Sequence, residues 1–378
     1  MILMKAYVAS HLKDMNRRNI YKMLCHTGET SKSEISRLTG ISAPTVIKVI
    51  SFLSERGLVE ELGGGESALG RKPQMLRIKK DRYYSIGIIH EGDYLKLGIT
   101  NLMNEIISLK KIQVERKFEE VMGSALFSLI NEALVESEIR LSDVLGIGLG
   151  IPGIYNVEEQ TIDMAPLIGI TEKTDISHII SSMENKYKLP VFVDNDLNME
   201  VQGEFVSRKL GEGDDLVYLS VGTGIGSGII LEGKLRRGRH YMCGEVGYMT
   251  FLDDYVADKS TAGWLESKIN LKALSDKFGD GILGNIDGDY KDIAIEYVSI
   301  CVALCVNNMM MCYDSDNFSI GGEMFNLLGS GLFDAISEKV KRLAVCDTQI
   351  AMKSSSEPGI IGAAGVAAEA AMTKILEE

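Results

Sequence analysis

Between Asn16 and Glu61 the apolar positions recur at helical spacing in three short runs. The first, near Asn16 to Cys25, places Ile20, Met23 and Leu24 on one face. Ser31, followed three residues later by Glu34, forms a capping box at the start of "KSEISRLTG", and Gly40 is placed to close that helix as a C-cap. Ser42 caps a third helix, with Pro44 in its first turn and Val46, Val49, Ile50 and Leu53 facing inward. Helix, a short turn containing Gly, then helix is the helix-turn-helix pattern. After Gly57, "LVEELGGGESALGRKPQMLRI" reads as a strand, a Gly-rich turn and an alternating strand, which is a hairpin wing.

Beyond residue 80 the pattern changes. Strand-like runs ("YSIGIIH", "KLGITNL", "VLGIGLGI", "VFVDND", "LVYLSVG", "SGIILEG", "NFSIGG") alternate with helical ones from "GSALFSLINEALVES" to "GIIGAAGVAAEAAMTKILEE". That alternation predicts an α/β architecture, and the length suggests two lobes. Within it, "IGIIHEGDYLKLGITNL" reads as two short strands joined by a polar turn at His90-Glu91-Gly92-Asp93. The apolar, Met-rich run around Asn307 to Met311 suits either core or an interface.

Charge divides the chain at the same place. Residues 1–80 carry 14 Lys and Arg against 7 Asp and Glu, a net of +7, whereas the rest carry 26 against 46, a net of −20. A basic head on an acidic body is expected to meet a polyanion through the head alone. In a helix-turn-helix the second helix enters the major groove, so Ser42, Ala43, Pro44, Thr45 and Lys48 are the candidate base contacts. Arg71 and Lys72, at the tip of the wing, are placed to reach a phosphate or the minor groove. The competing reading, a small helical domain that binds protein, is disfavoured by the positive charge.

Other features narrow the setting. No run of about 18 apolar residues occurs, and the N-terminus becomes charged before a signal-peptide core can form, so the expected address is the cytoplasm. None of the 6 cysteines forms a Cys-x-x-Cys pair, and they read as buried reduced thiols.

Two stretches of the body carry chemistry. "VYLSVGTGIGSGIILEGKL" turns through Gly222, Gly224, Gly226 and Gly228, whose freed amides can converge on a phosphate, with the Thr223 hydroxyl beside them. A strand follows rather than a helix, so this is not a Rossmann fingerprint. "PVFVDNDLNMEVQGEF" ends a strand in Asp194, Asn195, Asp196 and Asn198, where amide and carboxylate can grip adjacent hydroxyls. A solvated turn capping the next helix is a competing reading of Asp194.

The ordered motifs "GIGLGIPGIYN", "VDNDLN", "VGTGIGSG", "CGEVGY", "GWLES", "FSIGGE" and "GIIGAA" resemble the ROK family of sugar kinases and sugar-responsive repressors. With the winged helix ahead of them, the chain is similar to the repressor branch. The resemblance implies a DNA-binding domain over 1–80 and an actin-like, two-lobed ATPase fold over 81–378. The N-terminal lobe would span about 81–193 plus the C-terminal helix, the other lobe about 194–360, and a hexose would lie between them. It implies sugar contacts at Asn195, Asp196, Glu245 and Glu266, with Tyr248 where the family has a histidine that also touches sugar. In the kinases, the position of Asp196 holds the general base.

Two departures from the family follow. Its structural zinc ligands fall on Tyr248, Ala257, Lys259 and Trp264, which are not a zinc set, so no zinc is expected. Its Asp-x-Gly-x-Thr phosphate motif is replaced by "IIHEGDYLKLGIT", with Ile89 or a neighbour in the aspartate's place and Tyr94 and Leu95 after the turn. Phosphoryl transfer depends on positioning and charge neutralisation, so neither catalysis nor ATP binding is expected, and Gly222, Thr223, Gly224 and Gly226 become a vestigial loop. The expected protein is a homodimeric or larger sugar-responsive regulator, most simply a repressor of carbohydrate genes, that binds a palindromic operator and changes lobe closure with its ligand. Its rivals are a sugar kinase and a repressor whose effector is a protein partner.

Overall fold

The computed structural model describes residues 9–62, 66–67, 70–71, 74–114, 118–165, 168–251, 263–279 and 289–378. The head consists of α1 (Ala9–Thr27), β1 (Thr30–Ser31), α2 (Lys32–Thr39), α3 (Ala43–Glu55), β2 (Val59–Leu62), the wing-tip pair β3 (Glu66–Ser67) and β4 (Gly70–Arg71), and β5 (Met75–Ile78). β1, β5 and β2 form one antiparallel sheet in that order. Ile20, Leu24, Ile35, Val46, Ile50, Leu53 and Leu76 fill its core, all essentially inaccessible to solvent.

Some local signals act as their chemistry requires and others do not: Ser42, expected to cap α3, makes no side-chain bond to that helix's backbone. Ser31 Oγ accepts the Glu34 N–H at 3.2 Å, and Gly40, at φ 68°, closes α2 by donating its N–H to Ser36 O at 3.0 Å. The box is only half formed, because the Glu34 carboxylate turns to Arg37 at 2.5 and 2.9 Å instead of reaching back to the cap. α1 starts seven residues earlier than its apolar spacing suggests, at Ala9 rather than Asn16.

The N-terminal lobe follows: β6 (Tyr84–Glu91), β7 (Tyr94–Asn101), β8 (Ile106–Gln113), α4 (Phe118–Glu120) running through a π-turn into α5 (Leu126–Glu136), and β9 (Val144–Ile151). A small sheet of β10 (Ile154–Asn156), β11 (Thr161–Met164) and β12 (Thr174–Asp175) precedes α6 (Ser177–Tyr187) and β13 (Val191–Asn195). The main sheet has the order β13-β9-β6-β7-β8, parallel from β13 to β6 and antiparallel from β6 to β8. Pairing of Glu91 with Tyr94 leaves only Gly92 and Asp93 in the hairpin loop. His90 is therefore not part of a polar turn: it is a strand residue, 2% exposed and stacked on Phe118 with ring centroids 5.9 Å apart.

After α7 (Asp196–Ser207), the C-terminal lobe repeats this topology. Its elements are β14 (Leu216–Val221), β15 (Ile225–Leu231), β16 (Lys234–Leu235), α8 (Glu266–Ile269), α9 (Leu271–Phe278), α10 (Asp289–Tyr313), β17 (Asn317–Gly321), α11 (Met324–Leu328), α12 (Ser330–Leu343) and β18 (Gln349–Met352). The sheet order is β16-β15-β14-β17-β18, again three antiparallel strands and then parallel partners.

The last helix, α13 (Pro358–Glu377), packs against α7 and against β6 and β9. α7 and α13 cross at backbone contact: a Cβ on Gly203 would lie 1.8 Å from Pro358 O, and one on Gly362 1.8 Å from Met199 O. Only glycine permits that approach. α10 and α13 are long and apolar enough to span a bilayer, but both are core helices here. Val302, Cys305, Val306, Met309 and Met310 of α10 are buried in the C-terminal lobe, which settles this part of the Met-rich run as core, and Met311 is exposed. Ile360, Ala363 and Ala364 of α13 are buried as well.

Candidate functional site

α3 presents two faces. Val46, Val49, Ile50 and Leu53 are buried, while Ser42, Ala43, Pro44 and Lys48 are exposed and Thr45 is half-buried. Ser42 makes no side-chain bond to the helix backbone, and its Oγ lies 2.9 Å from Thr45 Oγ1, which leaves a short, polar helix start free for another molecule. In the wing, the backbones of β3 and β4 pair with Glu66 opposite Arg71, and Lys72 lies outside the described residues.

The cleft between the lobes is built at the carboxyl end of β13. Asn195 caps α7, its Oδ1 accepting from Leu197 N at 2.9 Å and Asn198 N at 3.1 Å, while its Nδ2 donates to Gly153 O at 2.9 Å. Asp194 is not a solvated turn residue. It is 3% exposed, its Oδ1 accepting from Asn195 N and Asn198 Nδ2, each at 2.8 Å. Its Oδ2 is held by Arg237, from Nε at 2.8 Å and Nη2 at 2.6 Å. β13 belongs to one lobe and Arg237 follows the last antiparallel strand of the other, so this ion pair clasps the mouth of the cleft. The sequence offered no sign of the pair, 43 residues apart.

Asp196 opens α7 with its carboxyl well above the usual range: burial is the main cause, the Glu200 charge adds to it, and the Leu197 N–H opposes it. Glu245 follows the left-handed Gly244 (φ 101°) and is raised to about 7 by burial and by Glu266. Glu266, at the start of α8, accepts the Ile225 N–H at 3.3 Å and is also raised by burial. The Tyr248 hydroxyl is raised by burial and by these two carboxylates. Asp196, Glu245, Glu266 and Tyr248 are thus gathered from three elements into one half-buried, polar group. Their crowded carboxylates gain when hydroxyl donors arrive, which is the chemistry of a polyol site.

The Gly-rich loop has mostly structural occupants. A Cβ on Gly226 would lie 2.4 Å from Leu197 Cδ1, and one on Gly228 2.3 Å from Leu197 O, so these two glycines seat β15 on α7. A Cβ on Gly224 would press on Glu266 Oε2 at 3.1 Å. Thr223 Oγ1 donates to Glu323 Oε2 at 3.2 Å, and Gly222 lies beneath the same residue. Across the cleft, Ile89 packs with Met199, Ile360 and Ala363. Lys96 is held by Glu91 at 3.0 Å and Glu357 at 3.1 Å. Glu200 is raised to about 7, chiefly by burial and then by Glu91, with Tyr218, Lys353 and Lys96 opposing. At the zinc positions, Ala257 and Lys259 lie outside the described residues, and Tyr248 and Trp264 supply no zinc donor set. Among the described residues no three His, Cys, Asp or Glu side chains gather as a metal group.

α13 joins the cleft to the head. Its first turn follows Glu357, the partner of Lys96, and touches Ile89. Its last turns bury Met372 and Leu376 in the head's own core, beside Ile20 and Leu24. Arg17 Nη1 donates to Leu376 O at 2.8 Å in a buried bond, Arg18 pairs with Glu377, and Lys22 lies 3.7 Å from Glu369. At about 1.5 Å per residue, the 20 residues of α13 span roughly 30 Å.

A winged helix on a two-lobed body defines the class: a DNA-binding protein built on a sugar-kinase-like scaffold. Residues 13–60 match the winged helix-turn-helix DNA-binding family, and residues 85–274 match the ROK family. The chain belongs to the ROK family, in its branch of DNA-binding regulators. It is 34% identical over 266 residues to the xylose repressor of Caldicellulosiruptor bescii, covering 70% of this chain and 65% of that one. It is 30% identical to the xylose repressor of Bacillus subtilis, covering 70% of this chain and 69% of that one. The crystal structure of a ROK transcriptional regulator, a homolog of the E. coli MLC protein, superposes with a TM-score of 0.76 at 19% identity, over 97% of this chain and 98% of that one.

Proposed function

We propose that a sugar held by Asp196, Glu245, Glu266 and Tyr248 sets the DNA affinity of the head through α13. The chain is a ROK transcriptional repressor of sugar-utilisation genes, as its similar relatives are named. The single observation that carries the sugar-to-DNA link is one uninterrupted helix with its first turn at the cleft and its last in the head's core. A ligand that prefers one lobe arrangement moves the base of that helix, and the helix moves the seat of the head. The cytoplasm is the expected compartment, and a homodimer on a palindromic operator is the expected assembly.

Pentoses are the first effectors to test, because the relatives are named for xylose. Three features of the nucleotide side favour reporting over catalysis. By the family resemblance Ile89 or a neighbour stands where the kinases have a metal-organising carboxylate, and Ile89 itself is packed in an apolar cluster; Lys96 is bound by two glutamates, and Glu323 sets a negative charge against the loop that would meet a phosphate. Phosphoryl transfer needs charge neutralisation at those places.

The test is operator binding by the full chain, measured by fluorescence anisotropy with a panel of pentoses and hexoses. At least one sugar is expected to change operator affinity tenfold or more, roughly the middle of the usual coupling range. No response to any sugar, or ATP-dependent sugar phosphorylation abolished by Asp196→Asn, refutes the proposal.

A further inference from the structure

α3 carries one outward residue that neither its fold nor a phosphate contact explains. Pro44, Ile47, Lys48 and Ser51 follow the helical repeat on the face opposite Val46, Val49, Ile50 and Leu53. Ile47, at the centre of that stripe, is 52% exposed. Lone exposed isoleucines are ordinary on a protein surface. This one occupies the face of a winged helix that enters the major groove, where its outward neighbours on α3, Pro44, Lys48 and Ser51, are small, polar or cationic; the other exposed large apolar side chains among the described residues of the head, Leu12, Met15 and Leu38, lie on α1 and α2.

The major groove offers one apolar feature, the C5 methyl of thymine, which also separates thymine from cytosine. A branched aliphatic side chain one residue before Lys48 meets base edges at the level where Lys48 reaches a guanine edge or a phosphate. We propose that Ile47 is a specificity-determining residue that packs on a thymine methyl in each operator half-site, next to the base step contacted by Lys48.

The test removes the methyl without touching any base-pairing edge. The full-length protein selects its operator from random duplex, and each thymine of one half-site is then replaced in turn by deoxyuridine. One replacement is expected to weaken wild-type binding about fourfold, the value of one buried methyl-sized group. Ile47→Ala should lose a similar factor on the thymine operator and be indifferent to the same replacement, with its melting temperature and its affinity for random duplex unchanged. The proposal is overturned if no deoxyuridine costs wild type more than twofold, or if the cost persists in Ile47→Ala. It is equally overturned if Ile47→Ala lowers the melting temperature with no change in thymine preference, since Ile47 would then cover protein rather than DNA.

Discussion

Replacing Leu376 by Ala should disconnect the head from the cleft while leaving both able to bind. Leu376 is 3% exposed and lies in the head's core rather than in either lobe, although it belongs to the chain's last helix. Truncating a buried leucine to alanine costs about 2–5 kcal/mol. A middle value of about 3 kcal/mol shifts the docked-to-undocked ratio of head and helix roughly 100-fold, since each 1.4 kcal/mol is about tenfold. Coupling between two ligand sites is typically about 1–3 kcal/mol, so the loss equals or exceeds what the sugar can transmit. Arg17→Met is a second route to the same seat, because it leaves the buried Leu376 carbonyl without its donor at a cost of about 1–3 kcal/mol. Operator titrations with and without the effector, paired with amide hydrogen exchange over α1, read the result. Both variants should keep operator and sugar binding, lose most of the sugar's effect on operator affinity, and exchange faster in α1. If Leu376→Ala keeps the full sugar effect and unchanged α1 protection, the helix is not the link.

Three further outcomes follow from the geometry. Arg237→Met strips the buried Asp194 of its partner; breaking a buried pair costs about 3–5 kcal/mol, discounted to about 1–2 kcal/mol because the arginine side chain is 39% exposed. The melting temperature should fall modestly and sugar affinity more steeply, as Asp194 also holds the Asn195 N–H and the Asn198 amide on either side of Asp196. His90 is lowered to about 4 by burial, so the unfolded chain takes up its proton first as pH falls below about 6.5. The stability of the neutral imidazole is complete above that pH and fades between about 6.5 and about 4, by about 3 kcal/mol in all, and His90→Phe should flatten this part of a denaturation series. Glu245 has the opposite sign: with its carboxyl raised to about 7, folding is favoured below about 4.5 and loses that contribution as pH rises through 7. Its ionised form is the better acceptor of sugar hydroxyls, so titration calorimetry should show sugar affinity rising from pH 6 to 8 in wild type and flat in Glu245→Gln.

What the chain disclosed in sequence was local. Ser31 and Gly40 mark the ends of α2 through bonds that span a few residues, Pro44 marks the first turn of α3 by its fixed backbone, and the apolar runs after residue 80 mark the strands but not their long-range partners, such as β14 with β17. Of the cleft's carboxylates, Asp196 was legible from its polar cluster at the end of a strand, whereas Glu245 and Glu266 were legible only through motifs shared with a family. Long-range packing was not legible. Gly226 and Gly228 look like phosphate glycines because glycine reports close approach without saying what approaches, and here it is Leu197. His90 looked like part of a polar turn until the pairing of Glu91 with Tyr94 fixed the loop at two residues. Arg17 and Leu376 are separated by 359 positions, and no periodicity connects them.

The most direct test of the central claim measures operator affinity and sugar affinity in one linked cycle, for wild type and for Asp196→Ala. The sugar is expected to shift operator affinity and the operator to shift sugar affinity by the same factor, and Asp196→Ala to keep the unliganded operator affinity while losing both shifts. Sugar binding that leaves operator affinity unchanged, in a wild-type protein that recognises its operator, would contradict that claim.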